Sequence, residues 1–261
     1  MRTPMDKVVQ KLLASAKGFV DSLSVSEEEL YDELCQYETF IAPHFTYFNE
    51  LDPKGKARFL QRVYNFKKKK TFHYERVLAE PRMPVLISAC AVQITFGLRK
   101  YKMPYFTDIY IMPDSYTYGL NKQQWLGHVN RTGIYLSWKH FMQGYSVHGD
   151  RFNVGLHEMA HALEYVNFLG TFGRDRDFAE RFVQYKKKAE MLLPTLKMNC
   201  KLFTEQAAHN YHECWAESVE LFFENPLELR EHYPVIYDDI KQLLNQDPAN
   251  KIKMLAVDDV I

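Results

Sequence analysis

Residues 157–161 read His-Glu-Met-Ala-His, and this run constrains the chain more than any other. On an α-helix, positions i and i+4 share a face, so His157 and His161 can aim both imidazoles at one ion. Glu158 is rotated by about 100° from His157. Its carboxylate therefore reaches beside that ion rather than onto it, which suits a base for an activated water. The flanking residues favour the helix. Val154, Leu156, Ala160 and Leu163 can pack a core while the histidines line a cleft, and neither Pro nor Gly interrupts residues 156–166. Only about 0.03 such pentapeptides are expected by chance at this composition, so a helix that merely packs two histidines is the weaker reading.

Catalytic zinc usually takes three protein ligands. A third histidine in the HExxHxxGxxH pattern fails here, because Glu164 and Asn167 stand at the Gly and His positions. A carboxylate from a later helix is the other common solution. Residues 213–223, ECWAESVELFF, are strongly helical and place Glu213, Glu217 and Glu220 on one face. A solvated helix can show the same stripe, so spacing alone does not choose; a histidine pair in need of a carboxylate tips the balance. Glu217, one turn beyond Glu213, is the candidate to hold a ligand histidine through its second ring nitrogen, a solvated acid being the other reading. Cys214 is expected to point away into the core. His148, His209 and His212 read as loop residues, the last two with substrate contact as the alternative.

Composition narrows the function classes. Lys+Arg and Asp+Glu are both 33, a formal net charge of zero, so no global field favours nucleic acid or an anionic membrane. The hydrophobic content of 46% can build a sizeable core. Cysteines at 35, 90, 200 and 214 form no CxxC pair and read as reduced thiols in a cytoplasmic setting. Lys7, Gln10, Lys11 and Lys17 interrupt any signal-peptide core. The apolar stretch Met83 to Leu98 reads as a buried helix rather than a span, and an anchor upstream of residue 1 stays open.

The element pattern predicts an α+β, mainly helical domain with a small sheet. Residues 5–40 read as amphipathic helix with Ser24 or Ser26 as a cap, and Asp52-Pro53 opens a second helix through about Phe66. Lys67 to Lys70 read as its solvated C-terminus. Thr107 to Met112 and Gly133 to Trp138 alternate as strands, with loop or hairpin between Pro113 and Arg131. The latter strand is open to two readings: an edge that pairs extended substrate, or an ordinary covered strand. Residues 153–245 read as helical, broken near 170–173, at Pro194 and at Pro226. The division expected is a helical extension over 1–45 and a zincin-like catalytic domain over 46–261.

Four blocks carry a family likeness: LDPKGKARFLQRVYNFKKKKTF (51–72), VNRTGIYLSW (129–138), NVGLHEMAHALE (153–164) and HECWAESVELFFENPLEL (212–229). They resemble the Mlc titration factor A family of zinc peptidases, relatives of gluzincins and of the anthrax lethal factor catalytic domain. The resemblance implies one Zn²⁺ per chain on His157, His161 and Glu213, with Glu158 as catalytic base. It implies hydrolysis of peptide substrates, aminopeptidase-like on short peptides. That family includes a member that binds a transcriptional repressor, so a zinc-containing protein that sequesters a regulatory partner is the alternative. Relatives carry an oxyanion-stabilising tyrosine seven residues before the third ligand, where this chain has Gln206. Tyr211 is the expected replacement, with His212 and His209 next.

Overall fold

The computed structural model describes residues 26–119, 122–147, 149–170, 172–198 and 201–250. The expected helix over 5–40 and the Ser24 cap lie mostly outside these residues. Within them, α1 (Glu27–Ile41) starts at Ser26, whose hydroxyl accepts from the Glu29 N–H while the Glu29 carboxylate accepts from the Ser26 N–H. Leu30, Leu34, Tyr37 and Ile41 join the same core as the rest of the chain, so no break in packing falls at residue 45.

A short α2 (Thr46–Glu50) leads to α3 (Pro53–Lys67), where Asp52 accepts from the Gly55 N–H and Pro53 opens the first turn. Lys70 corrects the expectation of a solvated lysine run. Its ammonium is turned inward onto the carbonyls of Lys102, Met103 and Phe106, and burial lowers its pKa to about 7. Strand β1 (Thr71–Tyr74) follows, then α4 (Arg82–Thr95), buried over nearly its whole length as its unbroken apolar run requires. No described helix is long and apolar enough to cross a membrane.

Strand β2 (Asp108–Met112), the hairpin β3 (Tyr116–Thr117) and β4 (Gln124–Trp125), β5 (Gly127–Asn130) and β6 (Gly133–Ser137) come next. The main sheet has the order β1-β2-β6-β5, with β5 alone antiparallel. Gly133–Ser137 is therefore an interior strand, and one sheet edge is β5, within the stretch expected as loop or hairpin. The two sheet faces follow the period of two. Ile109, Ile111, Ile134 and Leu136 are fully buried on one. On the other, His73, Tyr110, Tyr135 and His128 stand opposite one another and stack, with centroids 4.5, 4.3 and 4.2 Å apart.

After α5 (Trp138–Gly144) come α6 (Val154–Phe168), α7 (Arg176–Met198), α8 (Tyr211–Glu224), α9 (Pro226–His232) and α10 (Pro234–Leu244). Pro194 does not break α7, contrary to expectation. The carbonyl it orphans belongs to Glu190, which lies on the exposed side where water can take the bond. Gly170–Gly173 and Pro226 do mark helix ends.

Candidate metal centre

The site is built where α6 packs on α8. Asn153 caps α6: its Oδ1 accepts from the Leu156 N–H at 3.0 Å and its Nδ2 donates to the Gly144 carbonyl. Trp215, fully buried on α8, donates its indole N–H to the Ala160 carbonyl at 2.9 Å. The Trp215 bond, with bonds from the Asn153 N–H to Glu220 and from its Nδ2 to Glu224, ties the two helices together. His157 Nε2 then lies 3.1 Å from His161 Nε2 and 3.3 Å from Glu213 Oε2, and His161 Nε2 lies 3.7 Å from Glu213 Oε1. One donor atom from each residue falls within 4.8 Å of the others. Two imidazole nitrogens and one carboxylate oxygen around a common point fit a divalent cation.

The acid behind His157 corrects the expectation placed on Glu217. Glu220 Oε1 sits 2.6 Å from His157 Nδ1, and its Oε2 accepts from the Asn153 backbone N–H at 2.8 Å. Glu217 instead accepts from the backbone N–H of Thr204, at 2.8 Å, and from its hydroxyl. Viewed down α8, position i+4 is rotated about 40° to one side of Glu213 and i+7 about 20° to the other. The crossing of α6 falls on the Glu220 side, so Glu217 is left to tie down the segment before α8. Glu220→Gln should keep the fold but lower metal affinity about 10–100-fold. Competition against a chelator measures this, and unchanged affinity would place the support of His157 elsewhere.

Burial and mutual charge shift the titration of every group in the cluster. Burial lowers the pKa of His157, but Glu220, Glu213 and Glu158 override it and hold it well above the ordinary value. Burial, with the charge of His157, pushes His161 down to about 3. Burial works to raise Glu213, yet its bond from His157 and the charges of His161, His157 and His212 leave it lowered. Burial pushes Glu158 up to about 8. Its Oε2 is buried with no hydrogen-bond partner among the described residues.

Glu158 leans against the edge strand. A Cβ added to Gly127 would lie 2.5, 2.7 and 2.8 Å from Glu158 Cγ, Oε1 and Cδ. A larger residue there fits only if the Glu158 carboxylate moves aside. Gly127→Ala should shift Glu158 and cut turnover roughly 10²-fold, as sub-ångström-scale misplacement of a reacting group can, while metal content stays unchanged. Turnover close to wild type would show that Glu158 has room to move.

The segment before Glu213 differs from expectation. Tyr211 opens α8 with its ring between the Lys186 ammonium, 4.0 Å from the centroid, and the His212 ring, 3.9 Å away. His212 is the residue tied to the histidine helix: its Nδ1 lies 2.7 Å from Oε1 of the buried Glu164. Gln206 and His209 are exposed in the turns before α8. Cys214 is fully buried against Tyr185, as expected of a packing residue. Cys90 and Cys214 are free thiols, Cys200 and His148 lying outside the described residues.

With this geometry in place, the relatives can be compared. The family model of the glucose-regulated metallo-peptidase M90 matches residues 25–244. The chain belongs to this family. Mlc titration factor A of Pectobacterium atrosepticum is 26% identical over 127 residues, 46% of this chain and 47% of that protein. The match thus spans about half the length of that curated relative. The M90 assignment supports a metallopeptidase-like domain and implies a metal; the His157, His161 and Glu213 cluster is where the M90 chain can hold one. Glu220, Gly127 and the Glu164–His212 pair are site features that sequence reasoning missed. Glu220 was visible on the same acidic stripe as Glu217, whereas Gly127 carried no local signal.

Proposed function

We propose that the chain is a zinc-dependent metallopeptidase that cleaves extended peptides. The observation that carries this reading is the placement of Glu158. A buried carboxylate with one unpartnered oxygen stands beside a three-ligand cluster and against a sheet edge. A module that only bound a partner would have no use for that acid. Zn²⁺ suits two imidazoles and one carboxylate, and when bound it supplies Lewis-acid polarisation of a carbonyl and a lower pKa for water beside it. Glu158 then takes the proton of the attacking water and returns it to the departing amine. The unpaired edge of β5 offers backbone N–H and C=O groups to an extended substrate. For the oxyanion we assign His212 rather than Tyr211, because Glu164 fixes the ring of His212 while Tyr211 is packed between two neighbours.

The relative's name favours a second reading, in which the chain also binds a regulatory protein partner. The two are separated by metal removal. Zinc-loaded protein incubated with a random peptide mixture should generate new termini. A chelator should stop this, and restored zinc should recover it. Absence of cleavage under all conditions would favour the partner-binding reading.

A further inference from the structure

Beside the metal cluster, where Gly127 of β5 meets Glu158, the hairpin β3–β4 and the edge strand β5 carry a directed hydrogen-bond chain. The Thr132 backbone N–H can only donate, and it donates to Asn130 Oδ1 at 2.8 Å, as does the Thr132 hydroxyl at 2.6 Å. This fixes the Asn130 amide, so its Nδ2 faces His128 Nε2 at 3.2 Å and the Tyr118 hydroxyl at 3.0 Å. An amide nitrogen donates, so His128 Nε2 must be the acceptor and carry no proton. Burial agrees, lowering the His128 pKa to about 4. The one ring proton of neutral His128 is then on Nδ1, 2.9 Å from the Tyr116 oxygen, and the tyrosine is the acceptor. Tyr116 is left with its own O–H proton and no acceptor for it among the described residues.

That proton sits in telling company. Burial, and after it the Glu158 charge, raises the Tyr116 pKa. Gly127, the neighbour of His128 in β5, touches Glu158 directly. Trp125, the cross-strand partner of Tyr116, has a buried indole N–H without an acceptor. One unmet acceptor on Glu158 and unmet donors on the hairpin call for a ligand with both kinds of group, and a peptide unit has both. Resting on the peptidase reading above, we propose that Tyr116 is a substrate-binding residue. Its hydroxyl, aimed by Asn130 through His128, donates to a main-chain carbonyl of an extended peptide laid along β5.

The test uses zinc-loaded Glu158→Gln protein, titrated calorimetrically with an octapeptide selected from a random library, alongside turnover by protein with Glu158 intact. Tyr116→Phe keeps the ring and should weaken peptide affinity roughly ten-fold, the loss of about one neutral hydrogen bond, with zinc content unchanged. Asn130→Ala frees His128 to take the other tautomer and accept the Tyr116 proton. It should weaken binding similarly in the parent and not at all in the Tyr116→Phe background. Equal losses in both backgrounds would overturn the relay. Unchanged affinity in Tyr116→Phe, or no peptide binding by the parent, would overturn the assignment. Turnover that is unaffected by Tyr116→Phe leaves the peptidase and removes this residue from it. A Tyr116-dependent affinity without any turnover keeps the binding site and removes the peptidase.

Discussion

Glu158→Gln is expected to keep its metal and its fold and to lose peptide hydrolysis by roughly 10²-fold or more, the range of a general-base contribution. The substitution preserves size and removes only the ability to take a proton. Equal turnover by both proteins would remove the base from Glu158. The same variant has an expected signature in the metal-free protein. The folded-state pKa of Glu158 is raised to about 8 from an ordinary 4.5. The folded state therefore binds this proton more tightly than the unfolded chain does. The resulting stability is fully present below pH 4.5 and is lost as pH rises toward 8. A tenfold difference in proton affinity between the two states is worth about 1.4 kcal/mol. Metal-free Glu158→Gln should consequently gain on metal-free wild type by up to a few kcal/mol between pH 5 and 8. Denaturant melts at the two pH values measure the difference, and a gap that does not widen with pH would contradict the burial argument.

The other large effect is expected at Glu213. Glu213→Ala removes the carboxylate oxygens that lie 3.3 and 3.7 Å from the two histidine nitrogens. Zinc affinity should drop by orders of magnitude, because two neutral imidazoles on one helix make a poor site without the third donor. Elemental analysis after dialysis against a weak chelator gives the result. Wild-type zinc content in this variant would sink the ligand assignment. Glu217→Ala is the contrast. It releases Thr204 and loosens the segment before α8, so it should cost stability while zinc affinity stays near wild type.

The HExxH helix was legible because its information is local. The i, i+4 spacing of His157 and His161 and the offset of Glu158 follow from helix geometry alone. The capping of α3 by Asp52, the buried run of α4, the alternation of β2 and β6 and the inward turn of Cys214 were readable for the same reason. Strand β5 was missed because four residues, Gly-His-Val-Asn, carry no β-propensity pattern; β6 makes them a strand by pairing with them. Lys70 was misread because the carbonyls that draw it inward come from residues 102, 103 and 106.

The site divides along the same line. The sequence by itself determined which residues could be ligands and that a carboxylate stood beside one of them, since helix geometry fixes the relative directions of nearby residues. It also pointed to a carboxylate from a later helix, with the stripe on α8 as the candidate. Only the tertiary structure decided which acid does what. Glu213, Glu217 and Glu220 share one helix face within about 60°, and no intrinsic property separates them. The crossing of α6 on α8, tied by Asn153 and the buried Trp215, brings Glu213 to the histidine nitrogens and Glu220 to the far side of His157, and turns Glu217 toward Thr204. The space for Glu158 is likewise owed to Gly127 on a strand some thirty residues away. Contacts of that kind depend on where two packed surfaces meet, and a spacing rule that describes one helix holds no information about its partner.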